Sequence, residues 1–152
     1  MTRALTVRQP WADLIMSGMK TVENRSWAAP STLPFPFRLW IHAAATLDKG
    51  AAADLHGTGV ASSLADLPYY QPPAPTPALG VLLGSVEVTG QHHADECWFA
   101  PDPWRPHCSP WAEPGVYHWE LSDPRPLDRP VAAKGRLGLW RLDEQLSQAV
   151  PS

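Results

Sequence analysis

The chain has 152 residues, is 44% hydrophobic, and carries 18 prolines and a net charge of −3. That is length enough for one buried core, and too little basic charge to clamp a long duplex through many phosphate contacts. Positive charge is gathered at the two ends: six Lys/Arg face three Asp/Glu in residues 1–50, three face ten in 51–130, and three face two in 131–152, a distribution that suits a localised anion-binding pocket.

Two cysteines, Cys97 and Cys108, are too few for the disulfide framework of a secreted domain. The opening "MTRALTVRQPW" has no apolar leader core, and "ALGVLLGSVEV" is too short and too broken by glycine to span a bilayer. A soluble cytoplasmic protein without a membrane partner is the expectation.

In chain order, "RALTV" reads as a strand and "QPW" as a helix start, with Pro10 preset for a first turn. Trp11, Leu14, Ile15 and Met19 then form an apolar stripe at helical spacing, which Gly18 ends. "KTVENRSW" alternates: in an extended chain Thr21, Glu23 and Arg25 point one way and Lys20, Val22 and Asn24 the other, unless a turn near Gly18 rotates Lys20 onto the polar side. "STLPFPF" is a loop leading to the buried strand "RLWIHAA", which ends near His42. "ATLDKGAAADLHGTG" reads as a helix with Thr46 as its N-cap. Residues 68–77 form a Pro-rich surface loop of polyproline II character.

"LGVLLGSVEVTGQ" is the clearest strand, central and bent at its glycines, with Ser85, Glu87 and Thr89 facing outward. Residues 91–115, dense in Pro, Trp, His and Cys, read as an irregular loop. "VYHWELSDPRPL" resumes a strand, and "VAAKGRLGLWRLDEQL" supplies a last one in which Leu137, Leu139 and Trp140 are packing candidates. Short strands, few helices and abundant Gly/Pro predict an α+β domain: one unit over 1–152, a small β-barrel flanked by a few short helices, with long Pro-rich loops at about 68–77 and 91–115.

The run "L-x-V-x-Q-P-W-A-x-L-I-x-x-G-x-K-x-x-E-x-R-S-W", followed by "RLWIHAA", "LGVLLGSVEV" and "KGRLGLWRL", resembles the ASCH domain family of the PUA-like superfamily from Leu5 to Leu142. The resemblance is weakest in 56–77 and 91–115. It implies a PUA-like barrel with a cleft between the first helix, the strand of the G-x-K-x-x-E-x-R signature (Gly18, Lys20, Glu23, Arg25) and the returning C-terminal strand. It also implies RNA or other nucleic acid as the partner, with RNA cleavage in some members. One branch of small family members hydrolyses an acylated cytidine, with a lysine where Lys20 stands, a threonine where Glu23 stands and an arginine where Arg25 stands. Here Glu23 replaces that hydroxyl nucleophile, and no counterpart is assigned for a third, acidic catalytic residue, so the amidohydrolase activity does not carry over.

The chemistry of these side chains suits a phosphorylated ligand. Lys20 offers a compact cation and Arg25 a planar fork for two oxygens. Glu23 orients them, accepts from a base amino group or a 2′-OH, or acts as a general base. Trp27 and Trp111 are the candidate stacking faces, since Trp11, Trp40 and Trp140 lie in apolar patterns. Gln9, Ser26 and Lys134 complete the candidate nucleic-acid-binding set, while for Gln9 satisfying the turn, for His42 capping its strand, and for Lys134 plain solubility are the competing roles. A solvated ion-pair network is the competing account of Lys20, Glu23 and Arg25 themselves.

Two functions share this set: a module that binds RNA, single-stranded nucleic acid or a nucleotide, and a metal-independent ribonuclease, or other hydrolase acting on RNA or a modified nucleoside, in which Lys20, Glu23 and His42 are catalytic. In the second, Lys20 and Arg25 stabilise the phosphorane charge while Glu23 or His42 takes the 2′-OH proton. A third reading is a protein-interaction domain using Pro72–Pro77 and the Trp-rich loop. No cofactor is expected. His92, His93, Cys97, His107 and Cys108 hold enough donors for zinc, but their spacing matches no C-x2-C or H-x3-H pair, so no metal is assigned.

Overall fold

Each of the six strands overlaps a segment that the sequence pattern reads as extended. The computed structural model describes residues 2–50, 77–97, 108–109 and 111–151. Strands β1 (Arg3–Gln9), β2 (Val22–Arg25), β3 (Phe37–Leu47), β4 (Val81–His93), β5 (Tyr117–Ala132) and β6 (Leu139–Arg141) form one sheet in the order β2-β5-β4-β3-β1-β6. The β1/β3 pair is parallel and every other pair antiparallel. Helix α1 spans Trp11–Met16 and α2 spans Glu144–Ala149. This is a small α+β fold, and the sheet is open. The edge strands β2 and β6 do not pair, which corrects the expected closed barrel.

The period-2 alternation of the strands sorts residues onto two faces. Leu5, Val7, Leu39, Ile41, Val86, Val88, Trp119 and Leu121 build the main core, over which α1 lays Ala12, Ile15 and Met16. The opposite face carries a smaller cluster of Ala4, Trp40, Leu82, Trp140 and Leu142. Cross-strand registers Ala4↔Trp40 and Ala4↔Trp140 assemble that second cluster from three strands.

Strand β5 runs longer than the pattern suggests, straight through Pro124, Pro126 and Pro130. Its partner β2 covers only Tyr117–Glu120, so these prolines fall where one edge of β5 has no ladder donor to supply. The glycine bend predicted in β4 sits at Gly84, beside a register shift against β5.

Several expectations need correcting. Thr46 lies inside β3 and caps no helix, and most of the helix proposed after it lies outside the described residues, as do residues 68–76 of the Pro-rich loop. Residues 91–93 belong to β4 and 94–96 form a 3-10 turn, so the loop expected at 91–115 is shorter at its start. Ser85 is buried against β3 rather than facing outward. "DEQL" opens α2, capped by the Asp143 carboxylate accepting from the Leu146 N–H at 2.8 Å.

Leu137 is 99% exposed and joins no hydrophobic cluster among the described residues, whereas Leu139 and Trp140 do pack. Gly138, with φ 65°, reverses the chain between them. Leu137→Ser is therefore expected to shift stability by less than about 0.5 kcal/mol, a result that a urea titration checks.

Candidate functional site

The signature residues are placed by the end of α1. Gly18, with φ 82°, turns the chain out of the helix, and the Lys20 N–H donates to the Leu14 carbonyl at 3.0 Å. Lys20 thus precedes β2 and is rotated towards Glu23 rather than alternating away from it. Its Nζ lies 3.7 Å from Glu23 Oε2, and Arg25 Nε lies 3.7 Å from Glu23 Oε1. One carboxylate is held between an ammonium and a guanidinium.

The three groups differ in access. Lys20 is 4% exposed, and its Nζ donates to the Val22 carbonyl at 2.6 Å and sits 5.9 Å from the centroid of the Trp11 ring. Burial pulls the ammonium below the ordinary lysine range, while Glu23 and, beyond it, Glu113 draw it back up. Arg25 keeps 23% of its side chain exposed and donates from Nη2 to the Thr6 carbonyl at 2.9 Å. Strand β6 pairs only with Arg3–Leu5, so Thr6 lies past the end of that ladder, where its carbonyl can accept from a side chain. Glu23 Oε2 and Arg25 Nε are buried and without a hydrogen-bond partner among the described residues.

Thr6 is the residue the motif reading missed. Its hydroxyl accepts from Trp140 Nε1 at 3.1 Å, and its Cα is the register partner of His42. The only sequence signal was its place as an outward-facing position in β1, shared by any polar strand residue.

His42 is buried, and burial pulls its pKa below the ordinary value of 6.5, so the ring is neutral at pH 7. With Nε2 2.6 Å from the Ala133 carbonyl, that nitrogen must carry the proton, since a carbonyl only accepts. Nδ1 is left bare, and a methyl at Gly135 would approach it to 2.9 Å. No hydrogen bond or ion pair among the described residues joins His42 to Lys20, Glu23 or Arg25.

Other predicted site residues separate into available and committed. Ser26 and Lys134 are exposed, and Trp27 is half-buried, edge-on to Trp119 at 5.1 Å. Lys134 sits between Ala133, which holds His42, and Gly135, which lies against His42 and Thr6. Gln9 is not free to read a base edge. Its Nε2 donates to Asp13 Oδ1 and the Ala78 carbonyl at 2.9 and 3.0 Å, and its Oε1 accepts from the Asp13 N–H at 2.9 Å, so the amide fastens the start of α1. Trp111 is likewise core: 6% exposed, packed on Leu14 and edge-on to Trp11 at 6.0 Å.

The ASCH domain model matches residues 5–130. The chain belongs to the ASCH domain family. Human Activating signal cointegrator 1 is 30% identical over 147 residues, which cover 95% of this chain and 23% of that protein. The ASCH chain thus spans about a quarter of that relative. Crystal structures of two point mutants of ZmASCH from Zymomonas mobilis share the fold. The tyrosine-to-phenylalanine mutant has a TM-score of 0.53 at 17% identity, covering 97% of this chain and 94% of its own. The serine-to-alanine mutant has 0.50 at 16%, covering 97% and 92%. Among the described residues of this ASCH domain, no helix is long and apolar enough to cross a membrane.

Proposed function

We propose that this ASCH domain binds single-stranded RNA, or a nucleotide within it, at the Lys20/Glu23/Arg25 cluster. The observation that carries the reading is the pair of unspent polar atoms, Glu23 Oε2 and Arg25 Nε, beside a guanidinium that is still partly open to solvent. At 3.7 Å the two contacts within the cluster are ion pairs too long to be hydrogen bonds. Buried polar atoms left in that condition are uncommon in proteins and call for a partner.

A phosphate oxygen supplies an acceptor for the Arg25 fork, and a base amino group or 2′-OH supplies a donor for Glu23. Lys20, sunk behind Glu23, sets the local positive potential without touching solvent. Lys134 and Ser26 flank as exposed phosphate contacts, and Trp27 offers its accessible edge to a base. The family membership supports nucleic acid over other anions. The ribonuclease reading draws no support from His42, which is covered by Gly135 and already bonded to Ala133.

Fluorescence anisotropy with short single-stranded RNA tests the assignment. Arg25→Ala is expected to weaken binding by at least about tenfold, the loss of one charge-assisted hydrogen bond. Lys134→Ala is expected to weaken it less, and to flatten the dependence of log K on log salt by about 0.7 for one lost phosphate contact. RNA bound equally well by wild type and Arg25→Ala, both folded by thermal melting, would sink the proposal.

A further inference from the structure

Away from the signature cluster, four metal-ligating side chains meet. A ring nitrogen of His92, Cys97 Sγ, Cys108 Sγ and a ring nitrogen of His118 lie within 4.8 Å of one another. His92 and His118 are directly opposed in the β4/β5 ladder, so their rings leave the same face of the sheet. Cys97 follows the 3-10 turn that ends β4, and Cys108 precedes the segment leading back to β5. From these residues, we propose a structural Zn2+ site of the His2Cys2 type that fastens the segment between β4 and β5 to the sheet.

The hydrogen-bond partners fix where the lone pairs point. His118 Nε2 lies 2.6 Å from the Glu113 carbonyl and must be the protonated nitrogen. In the neutral ring Nδ1 is then bare, and it faces His92 Nε2 at 3.2 Å, Cys97 Sγ at 3.2 Å and Cys108 Sγ at 3.5 Å. On the far side of His92, Nδ1 lies 3.7 Å from a Glu120 carboxylate oxygen. With the His92 proton on Nδ1, facing that carboxylate, the Nε2 lone pair turns to Cys97 Sγ at 2.9 Å. Two imidazole lone pairs and two sulfurs therefore converge on one point.

Four of the six separations, at 2.9, 3.2, 3.2 and 3.5 Å, equal or fall short of the edges of a zinc tetrahedron. Zn–N bonds near 2.05 Å and Zn–S bonds near 2.3 Å give edges of about 3.3 Å between nitrogens and about 3.5 Å between nitrogen and sulfur. The supporting contacts resemble those of a metal site: His118 gives its other N–H to the Glu113 carbonyl, and His92 Nδ1 faces the Glu120 carboxylate at 3.7 Å. Two thiolates balance the charge of one Zn2+, and binding expels the two thiol protons to solvent. His93 is not a ligand: its ring accepts from the Asp95 N–H at 3.1 Å and faces Tyr117. His107 lies outside the described residues.

The site has a mechanical consequence. Past Cys108, the chain presents the Trp111 carbonyl to Asn24 Nδ2 at 2.8 Å and the Glu113 N–H to Asn24 Oδ1 at 2.9 Å. Asn24 is the register partner of His118. A metal at His118 therefore ties down the same segment that clasps β2 next to Glu23 and Arg25.

The experiment is metal analysis of the purified, reduced protein, followed by Co2+ titration of protein stripped with a chelator. One zinc per chain is expected, with Co2+ giving the intense d–d bands and sulfur-to-metal charge transfer of a tetrahedral S2N2 site. Cys97→Ser and Cys108→Ser should each lose at least about tenfold in metal affinity. His93→Ala should keep wild-type stoichiometry and spectrum, and chelator should lower the melting temperature of wild type and not of the cysteine variants. Reduced, folded protein that takes up neither Zn2+ nor Co2+ overturns the proposal. So does mass spectrometry showing a Cys97–Cys108 disulfide that persists in mild reductant, or a His93→Ala variant that loses the metal.

Discussion

Glu23→Gln is expected to lower the unfolding free energy at pH 7 by about 3 kcal/mol, the cost of taking one partner out of a buried ion pair. The substitution preserves shape and removes only the charge that faces Lys20 and Arg25. Lys20 is then a buried ammonium with one carbonyl acceptor and an aromatic ring, and among the described residues the more distant Glu113 carboxylate is what remains to offset its charge. Its pKa in the folded protein is already below the ordinary 10.5 because of burial. Between those two values the unfolded chain binds more protons than the native one, so stability rises with pH across that window.

Removing Glu23 takes away the largest influence holding the Lys20 pKa up, which lowers it further and extends the window to lower pH. The deficit of Glu23→Gln relative to wild type should therefore shrink as pH is raised from about 6 towards about 10. Urea unfolding of both proteins across that range measures it. A deficit that stays constant with pH would mean that Lys20 and Glu23 are not coupled in the way their 3.7 Å separation implies.

Gly84→Ala is expected to be of similar size for a different reason. A methyl built there would collide with the Arg125 carbonyl oxygen, approach Pro126 Cα to 2.7 Å and Met16 Sδ to 2.9 Å. Two of those three obstacles are backbone of β5, which cannot rotate aside. Only the methionine can. Overpacking at such a point costs about 3 kcal/mol, or roughly a 10 °C fall in melting temperature for a domain of this size. Gly50→Ala is the matched comparison, since among the described residues its methyl would meet only Asp48 Oδ1 at 3.7 Å. Calorimetric melting of both variants checks the contrast, and equal melting temperatures would mean that β4 and β5 can part without cost.

These two sites explain why Lys20, Glu23 and Arg25 are held so closely. Gly84 lets β5 lie tight on β4, and the β5 segment Tyr117–Glu120 carries β2 on its other edge. The position of Glu23 thus depends on a glycine far away in the chain. Arg25 then reaches from β2 to the Thr6 carbonyl on β1, a side-chain link between parts of the sheet that no ladder joins.

By itself the sequence determined the strands with clear alternation, the apolar stripe of α1, the turn at Gly18 and the membership of Lys20, Glu23 and Arg25 in one group. Each of those rests on residues close together in the chain, where period and turn chemistry act directly. Only the tertiary structure decided the rest. It left the sheet open, with β2 and β6 at its opposite edges, and it spent Gln9 on the start of α1 and Trp111 on Leu14. Among the described residues the fourth member of the His/Cys group is His118, not His93, because the β4/β5 register sets His118 opposite His92, and register between distant strands is written in no local spacing.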